Sequence, residues 1–149
     1  MLSRTLIAIL GFVVGAGWFV TTTTAQPARR YINPRSAADP ASATLPPFSG
    51  AVLTGDTLYL SGMLGTGDTG EAAATTVLTS IQNTLKAAGM TMDDLVSVQI
   101  FCPDVSNYDA FNKVYRTFFK QEYPARAFLG SGPLLNGARF EVQAIAVKR

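Results

Sequence analysis

Two charged side chains stand where apolar residues dominate. Arg126 follows Pro124 in the run Tyr-Pro-Ala-Arg-Ala-Phe, and Glu141 sits inside Phe-Glu-Val-Gln-Ala-Ile-Ala-Val. A charged group inside such a strand is costly to bury unless it is paired or used. One reading is a structural ion pair or a water-facing edge residue. The other gives Arg126 a planar fork for a substrate carboxylate and has Glu141 orient or deprotonate a water molecule. Pattern alone leaves both open.

Few other chemistries remain. The 149 residues include no His and one Cys, Cys102. That excludes Ser-His and Cys-His pairs, imidazole general bases, His-containing metal sites and an intrachain disulfide. Ser61 therefore reads as a hydrogen-bond donor rather than a nucleophile. Cys102 alternates with Val98 and Ile100 and reads as a small buried hydrophobe. Lys and Arg number 12 against 10 Asp and Glu, a net charge of +2, and the basic residues are scattered. This is no footprint for a nucleic acid. Gly65-Thr-Gly67-Asp-Thr-Gly70 fits G-x-G-x-x-G, yet the chain lacks room for a doubly wound sheet. Asp93 and Asp94 also precede the next strand instead of ending it, so a glycine loop is the simpler reading.

The elements that must position Arg126 and Glu141 follow from periodicity. Ala51–Leu53 and Leu58–Leu60 flank Gly55-Asp56 as a hairpin. Glu71–Ala88 has one apolar face through Ala74, Val77, Leu78, Ile81, Leu85 and Ala88, with Gly89 as its left-handed stop. Thr91–Asp94 caps a short turn, and Leu95–Cys102 is a strand. A second helix spans 108–120, capped by Ser106 or Asn107, and its stripe of Tyr108, Phe111, Val114, Tyr115 and Phe118 reads as core. Strands at 126–130 and 139–147 complete a β-β-α-β-α-β-β order, with Asn136-Gly137 as a turn. Two helices and about five strands predict an α+β fold with both helices on one face of a sheet. Apolar residues at alternate positions of the last strand, Phe140, Val142 and Ala144 against Ile145 and Val147, predict that the other face is covered by another subunit.

The start of the chain reads as an address. Arg4 precedes an apolar run from Leu6 to Val20, and small residues follow to Ala25. This is the pattern of a signal peptide over 1–25 cleaved after Ala25, with an uncleaved membrane anchor as the alternative. The pattern predicts a secreted product, periplasmic in a Gram-negative source. Residues 26–47 hold five of the eight prolines and read as a Pro-rich linker or strap before a domain at 48–149.

The stretches Pro-Phe48-Ser-Gly-Ala-Val, Leu-Ser61-Gly62-Met, Ala87-Ala-Gly-Met-Thr-Met-Asp-Asp-Leu-Val, Asp109-Ala-Phe-Asn112-Lys-Val-Tyr, Tyr-Pro-Ala-Arg126 and Phe-Glu141-Val-Gln-Ala-Ile-Ala arrive together in order. In them the sequence resembles the Rid family, the YjgF-like reactive-intermediate deaminases. The resemblance implies a chorismate-mutase-like mixed β-sheet, a homotrimer with clefts between subunits, and hydrolysis of small 2-imino acids and their enamine tautomers to 2-oxo acids and ammonia. It implies no cofactor or metal. By motif, Arg126 falls on the carboxylate-binding arginine, Glu141 on the glutamate linked to the hydrolytic water, and Phe48, Ser61, Gly62 and Asn112 on substrate-binding positions. Phe48 stands where the family usually has Tyr, Met63 where it has Gln, and Ala127-Phe128 where it has Ser-Cys. These departures make the pocket more apolar and keep open a trimeric module that binds a small carboxylate without chemistry, or a chaperone-like interaction protein.

Overall fold

Apolar segments on either side of Gly55-Asp56 fold the chain back on itself in a computed structural model that describes residues 28–32, 48–120 and 122–149. Strand β1 (Arg29–Ile32) lies at the sheet edge. Strand β2 (Ala51–Thr54) pairs antiparallel with β3 (Thr57–Gly65), Thr54 opposite Thr57. Gly55 takes φ 56° in the turn, a left-handed conformation that costs other residues about 1–2 kcal/mol.

Helix α1 (Gly70–Ala88) begins where Thr69 Oγ1 accepts from the backbone N–H of Ala72, and ends at Gly89 with φ 76°. Its apolar stripe, including Val77, Leu78, Ile81 and Leu85, is fully buried; each such Leu or Ile contributes about 2 kcal/mol by leaving water. A single 3₁₀ turn follows, tied by the Thr91 N–H donating to the Asp94 carboxylate. It delivers the chain into β4 (Leu95–Cys102). Helix α2 (Tyr108–Tyr115) leads to β5 (Ala125–Gly130), and a turn with Asn136 and Gly137 both at positive φ precedes β6 (Phe140–Val147).

The sheet runs β1-β2-β3-β6-β4-β5. All neighbours are antiparallel except β4 and β5. Both helices cover one face, where Leu58, Leu60, Val98, Ile100, Phe140 and Val142 meet them in the core. The expected α+β architecture with two helices on one face is what the chain adopts.

Three details differ from the sequence reading. The sheet has six strands, because Arg29–Ile32 of the proline-rich stretch pairs with β2, Ile32 opposite Ala51. Its four residues show no alternation, and only the neighbouring strand makes them extended. Residues 1–25, the expected leader, lie outside the described residues, as does most of 26–47. The second helix stops at Tyr115, and a 3₁₀ turn over Arg116–Phe118 lets the extended Phe119 pack on the Tyr115 ring at 4.7 Å. The helix-free face, expected to be apolar, is mixed: Ser97, Gln99 and Gln143 share it with Tyr59, Phe101 and Ile145. Among the described residues no helix is long and apolar enough to cross a membrane.

Candidate active site

Arg126 is placed by β5. It lies opposite Val98 in the parallel pair, so its side chain shares the helix-facing side of the sheet and meets α2. Its Nη1 donates to Asn112 Oδ1 at 2.8 Å. Asn112 is the one buried polar side chain among the described residues, 6 % exposed. The guanidinium carbon lies 4.9 Å from the Tyr115 ring centroid and 5.8 Å from that of Tyr108. Stacking of this kind holds a planar cation without neutralising it. Among the described residues no carboxylate comes within ion-pair distance of Arg126. A half-buried cation tethered on one edge and lacking a counter-ion is equipped to receive an anion on its remaining N–H groups. The space beside it is a cavity of about 280 Å³ lined by Tyr108, Asn112, Tyr115, Arg116, Tyr123, Pro124 and Arg126.

Tyr115 is the less expected neighbour. Its hydroxyl is buried and finds no hydrogen-bond partner among the described residues. Burial pushes its pKa up to about 12, against a smaller lowering by the Arg126 charge and a further rise from Tyr123. The phenol stays neutral at any physiological pH.

Glu141 occupies the other side of the sheet. It alternates with the buried Phe140 and Val142 and lies opposite Phe101 of β4 and Leu64 of β3. It forms no ion pair or hydrogen bond among the described residues. A bulge in β3 brings Ser61 and Gly62 beside it: Leu60 pairs with Ala144 and Met63 with Val142, so two residues of β3 oppose one of β6. A Cβ at Gly62 would run into the Glu141 carboxylate, its Cδ being 2.9 Å away. Any other residue there would push the carboxylate out of this position.

Ser61 is committed on its donor side. Its hydroxyl donates to Ser49 O at 2.6 Å, and its N–H to Gly50 O at 3.0 Å. These bonds tie the segment carrying Phe48 to the bulge, while the Ser61 oxygen keeps a lone pair free to accept. Phe48, 58 % exposed, walls a second cavity of about 470 Å³ together with Ser61, Gly62, Met63, Leu64 and residues of α1.

The sequence-derived site thus falls into two groups. Arg126 and Asn112 lie on the helix side at one edge of the sheet; Glu141, Gly62, Ser61 and Phe48 gather around the β3 bulge. The described chain does not bring Arg126 and Glu141 to one cavity. Tyr108, Tyr115 and Tyr123 around the guanidinium are the residues that sequence reasoning missed. The stripe on α2, read as core, is split: Phe111 and Tyr115 are buried, whereas Tyr108 is an exposed wall of the cavity. Residue type alone does not separate them, since Tyr115 of the same stripe buries its hydroxyl while Tyr108 reaches the cavity.

Two other candidates resolve as structural. Gly65, Gly67 and Gly70 admit close packing, because a Cβ at any of them would come within 3.0 Å of α1 or of Asn107. Arg139 clamps that loop through the carbonyls of Gly67 and Asp68. Cys102 is buried, donates to Asp104 O, and burial raises its pKa, so it is an inert core thiol. Among the described residues no three His, Cys, Asp or Glu side chains come together as metal ligands.

The family model for endoribonuclease L-PSP matches residues 38–148. The chain belongs to this family, the YjgF/Rid family. The Rid-family assignment is carried by relatives along most of their length. The 2-iminobutanoate/2-iminopropanoate deaminase of Capra hircus is 36 % identical over 116 residues, covering 72 % of this chain and 85 % of the goat protein. A YjgF-family structure from Neisseria meningitidis superposes with a TM-score of 0.71 at 26 % identity, covering 84 % of this chain and 98 % of its own. A Rid-family structure from Yersinia pestis gives 0.72 at 28 %, covering 80 % and 99 %. The mixed α+β sheet with two helices is therefore the Rid-family fold.

Proposed function

We propose that the protein hydrolyses small 2-imino acids to 2-oxo acids and ammonia in sites shared between adjacent protomers of a homotrimer. The single observation that carries this reading is Arg126: a stacked, tethered, uncompensated guanidinium facing a cavity. Relatives bearing an imine deaminase name supply the substrate class. The site is completed by Glu141, Ser61, Gly62 and Phe48 of the next protomer, since one chain keeps Arg126 and Glu141 on opposite sides of its sheet. The exposed helix-free face, with its half-buried Phe101 and Ile145, is the surface that assembly covers.

The chemistry asks little of the protein. A protonated imine is already electrophilic, so Arg126 anchors the carboxylate and fixes the C2 carbon near a water held by Glu141. The water oxygen bonds to C2 as its proton passes to Glu141, giving a carbinolamine. Glu141 returns the proton to nitrogen; the C–N bond then breaks with its electron pair leaving on ammonia, while the carbinolamine hydroxyl gives its proton to Glu141 and becomes the carbonyl, and Glu141 passes that proton to solvent. The family description names an endoribonuclease, but a chain without His and with a net charge of +2 offers neither an imidazole pair nor a basic stripe for RNA.

Purified protein given freshly generated 2-iminobutyrate should release 2-oxobutanoate faster than buffer, and Arg126→Ala should abolish the difference. Release equal to buffer, with a melting temperature raised by 2-oxobutanoate, replaces catalysis by simple carboxylate capture. Export is part of the same proposal, supported by the charged, apolar and small-residue pattern of 1–25. Intact mass of the exported protein tests it, with cleavage after Ala25 expected.

A further inference from the structure

The cavity beside Arg126 is built for more than a short aliphatic acid. Three of its seven lining residues are tyrosines, and a proline adds a fourth apolar surface. Tyr108 and Tyr123 are 45 % and 56 % exposed, which is unusual for large rings that converge on one spot. Neither ring is loose. Tyr108 is held at 85° against Phe128 with centroids 5.0 Å apart. Tyr123 lies at 22° to Tyr115 and 5.5 Å from Phe119. It also precedes Pro124, which restricts its backbone to extended conformations. The guanidinium thus shares its cavity with aromatic walls that are themselves packed against neighbouring rings.

A two- or three-carbon tail on a carboxylate bound there would leave those walls wet. A flat ring would cover them, gaining both apolar burial and the edge or offset contacts that aromatic pairs favour.

We infer that the Arg126 cavity selects carboxylates bearing an aromatic side chain, so that aromatic 2-imino acids are the preferred substrates, with the ring packed between Tyr108 and Tyr123. This rests on the deaminase reading for its chemistry but on the cavity alone for its ligand class, and the two fail separately. An amino acid oxidase generates the imines of 2-aminobutyrate, leucine and phenylalanine in situ, and 2-oxo acid release above buffer is measured for each. Calorimetry compares phenylpyruvate with 2-oxobutanoate on the same protein.

The expected result is kcat/KM at least about tenfold higher for the phenylalanine-derived imine than for the 2-aminobutyrate-derived one, in line with what apolar pocket contacts discriminate. Phenylpyruvate should bind tighter than 2-oxobutanoate by a similar factor. Tyr123→Ala should bring both ratios close to unity, and Tyr123→Phe should restore them, because the ring rather than the hydroxyl makes the wall. Turnover with equal or better rates on the small imine overturns the inference and leaves the deaminase reading standing. No turnover of any imine overturns that reading instead. The binding ratio then decides: phenylpyruvate preferred supports the inference, and parity or the reverse ends it.

Discussion

The Arg126 and Glu141 halves of the site are built in opposite ways. Arg126 is fastened on one edge by Asn112 and lies on the Tyr115 ring, with the aromatic cluster of α2 and β5 packed behind it. Glu141 rises from a strand with no partner for its carboxylate among the described residues, beside a bulge whose Gly62 makes room for it. One half holds its charge in a fixed pose; the other leaves its charge free to act. A group that binds a ligand benefits from being fixed before the ligand arrives, whereas a proton carrier must be reachable and unneutralised. The contrast supports the proposed division, with binding given to the arginine and proton handling to the glutamate.

Kinetics can break that division. Arg126→Ala should lower kcat/KM for 2-iminobutyrate by two orders of magnitude or more, roughly 3 kcal/mol, with most of the loss in KM. Glu141→Gln keeps the shape and removes the charge. It should lower kcat about 100-fold, leave 2-oxobutanoate binding nearly intact, and change stability by less than about 0.5 kcal/mol. A KM effect from Glu141→Gln larger than its kcat effect would invert the assignment.

Mixing the two inactive variants sharpens the comparison further. If each site joins Arg126 of one protomer to Glu141 of the next, randomly mixed trimers of Arg126→Ala and Glu141→Gln chains contain wild-type sites. Unfolding and refolding an equimolar mixture should then recover about a quarter of wild-type activity. Activity no higher than that of the separate variants would mean that the two halves are not shared in this way.

Much of this was legible in the chain, and what was not has a common cause. Gly55, Gly89 and Asn136-Gly137 announce their turns because positive φ is a local requirement. Arg126 and Glu141 stand out because charge inside an apolar strand is a local anomaly. Their separation onto opposite sides of the sheet was hidden, since it depends on β5 joining the edge of β4 in parallel while β6 enters between β3 and β4. No pattern within either strand records that order. The bulge at Ser61-Gly62 escaped for the same reason: it exists only relative to β6. Strand β1 escaped because Arg-Arg-Tyr-Ile has no alternation, and Tyr108 because helical spacing cannot distinguish a core ring from a rim ring.

The tether on the arginine side predicts a smaller loss. Asn112→Ala removes the acceptor that fixes one edge of the guanidinium and empties a buried polar position. Turnover should fall about tenfold through KM, and stability by about 1–2 kcal/mol. A shift in kcat alone would mean that Asn112 touches the reacting atoms rather than positioning Arg126.

The smallest effect belongs to the oxygen that the arginine side leaves unpaired. Tyr115→Phe deletes a buried hydroxyl without a partner among the described residues and keeps the ring on which Arg126 rests. Near pH 8 the variant should match the wild type or exceed its stability by up to about 1 kcal/mol, because no hydrogen bond is lost and a desolvation cost disappears. The pH dependence gives the sharper reading. Burial raises the Tyr115 pKa from 10.0 to about 12, so the folded state holds this proton more tightly than the unfolded chain. Wild-type stability from this group is fully present below pH 10 and is lost as pH rises from 10 to 12. The variant lacks that loss, so denaturant melts should show its advantage over wild type widening across the same interval by on the order of 2 kcal/mol. An advantage that stays constant from pH 8 to 12 would mean that the phenol reaches water, and the packing behind Arg126 would then be looser than the arginine's role requires.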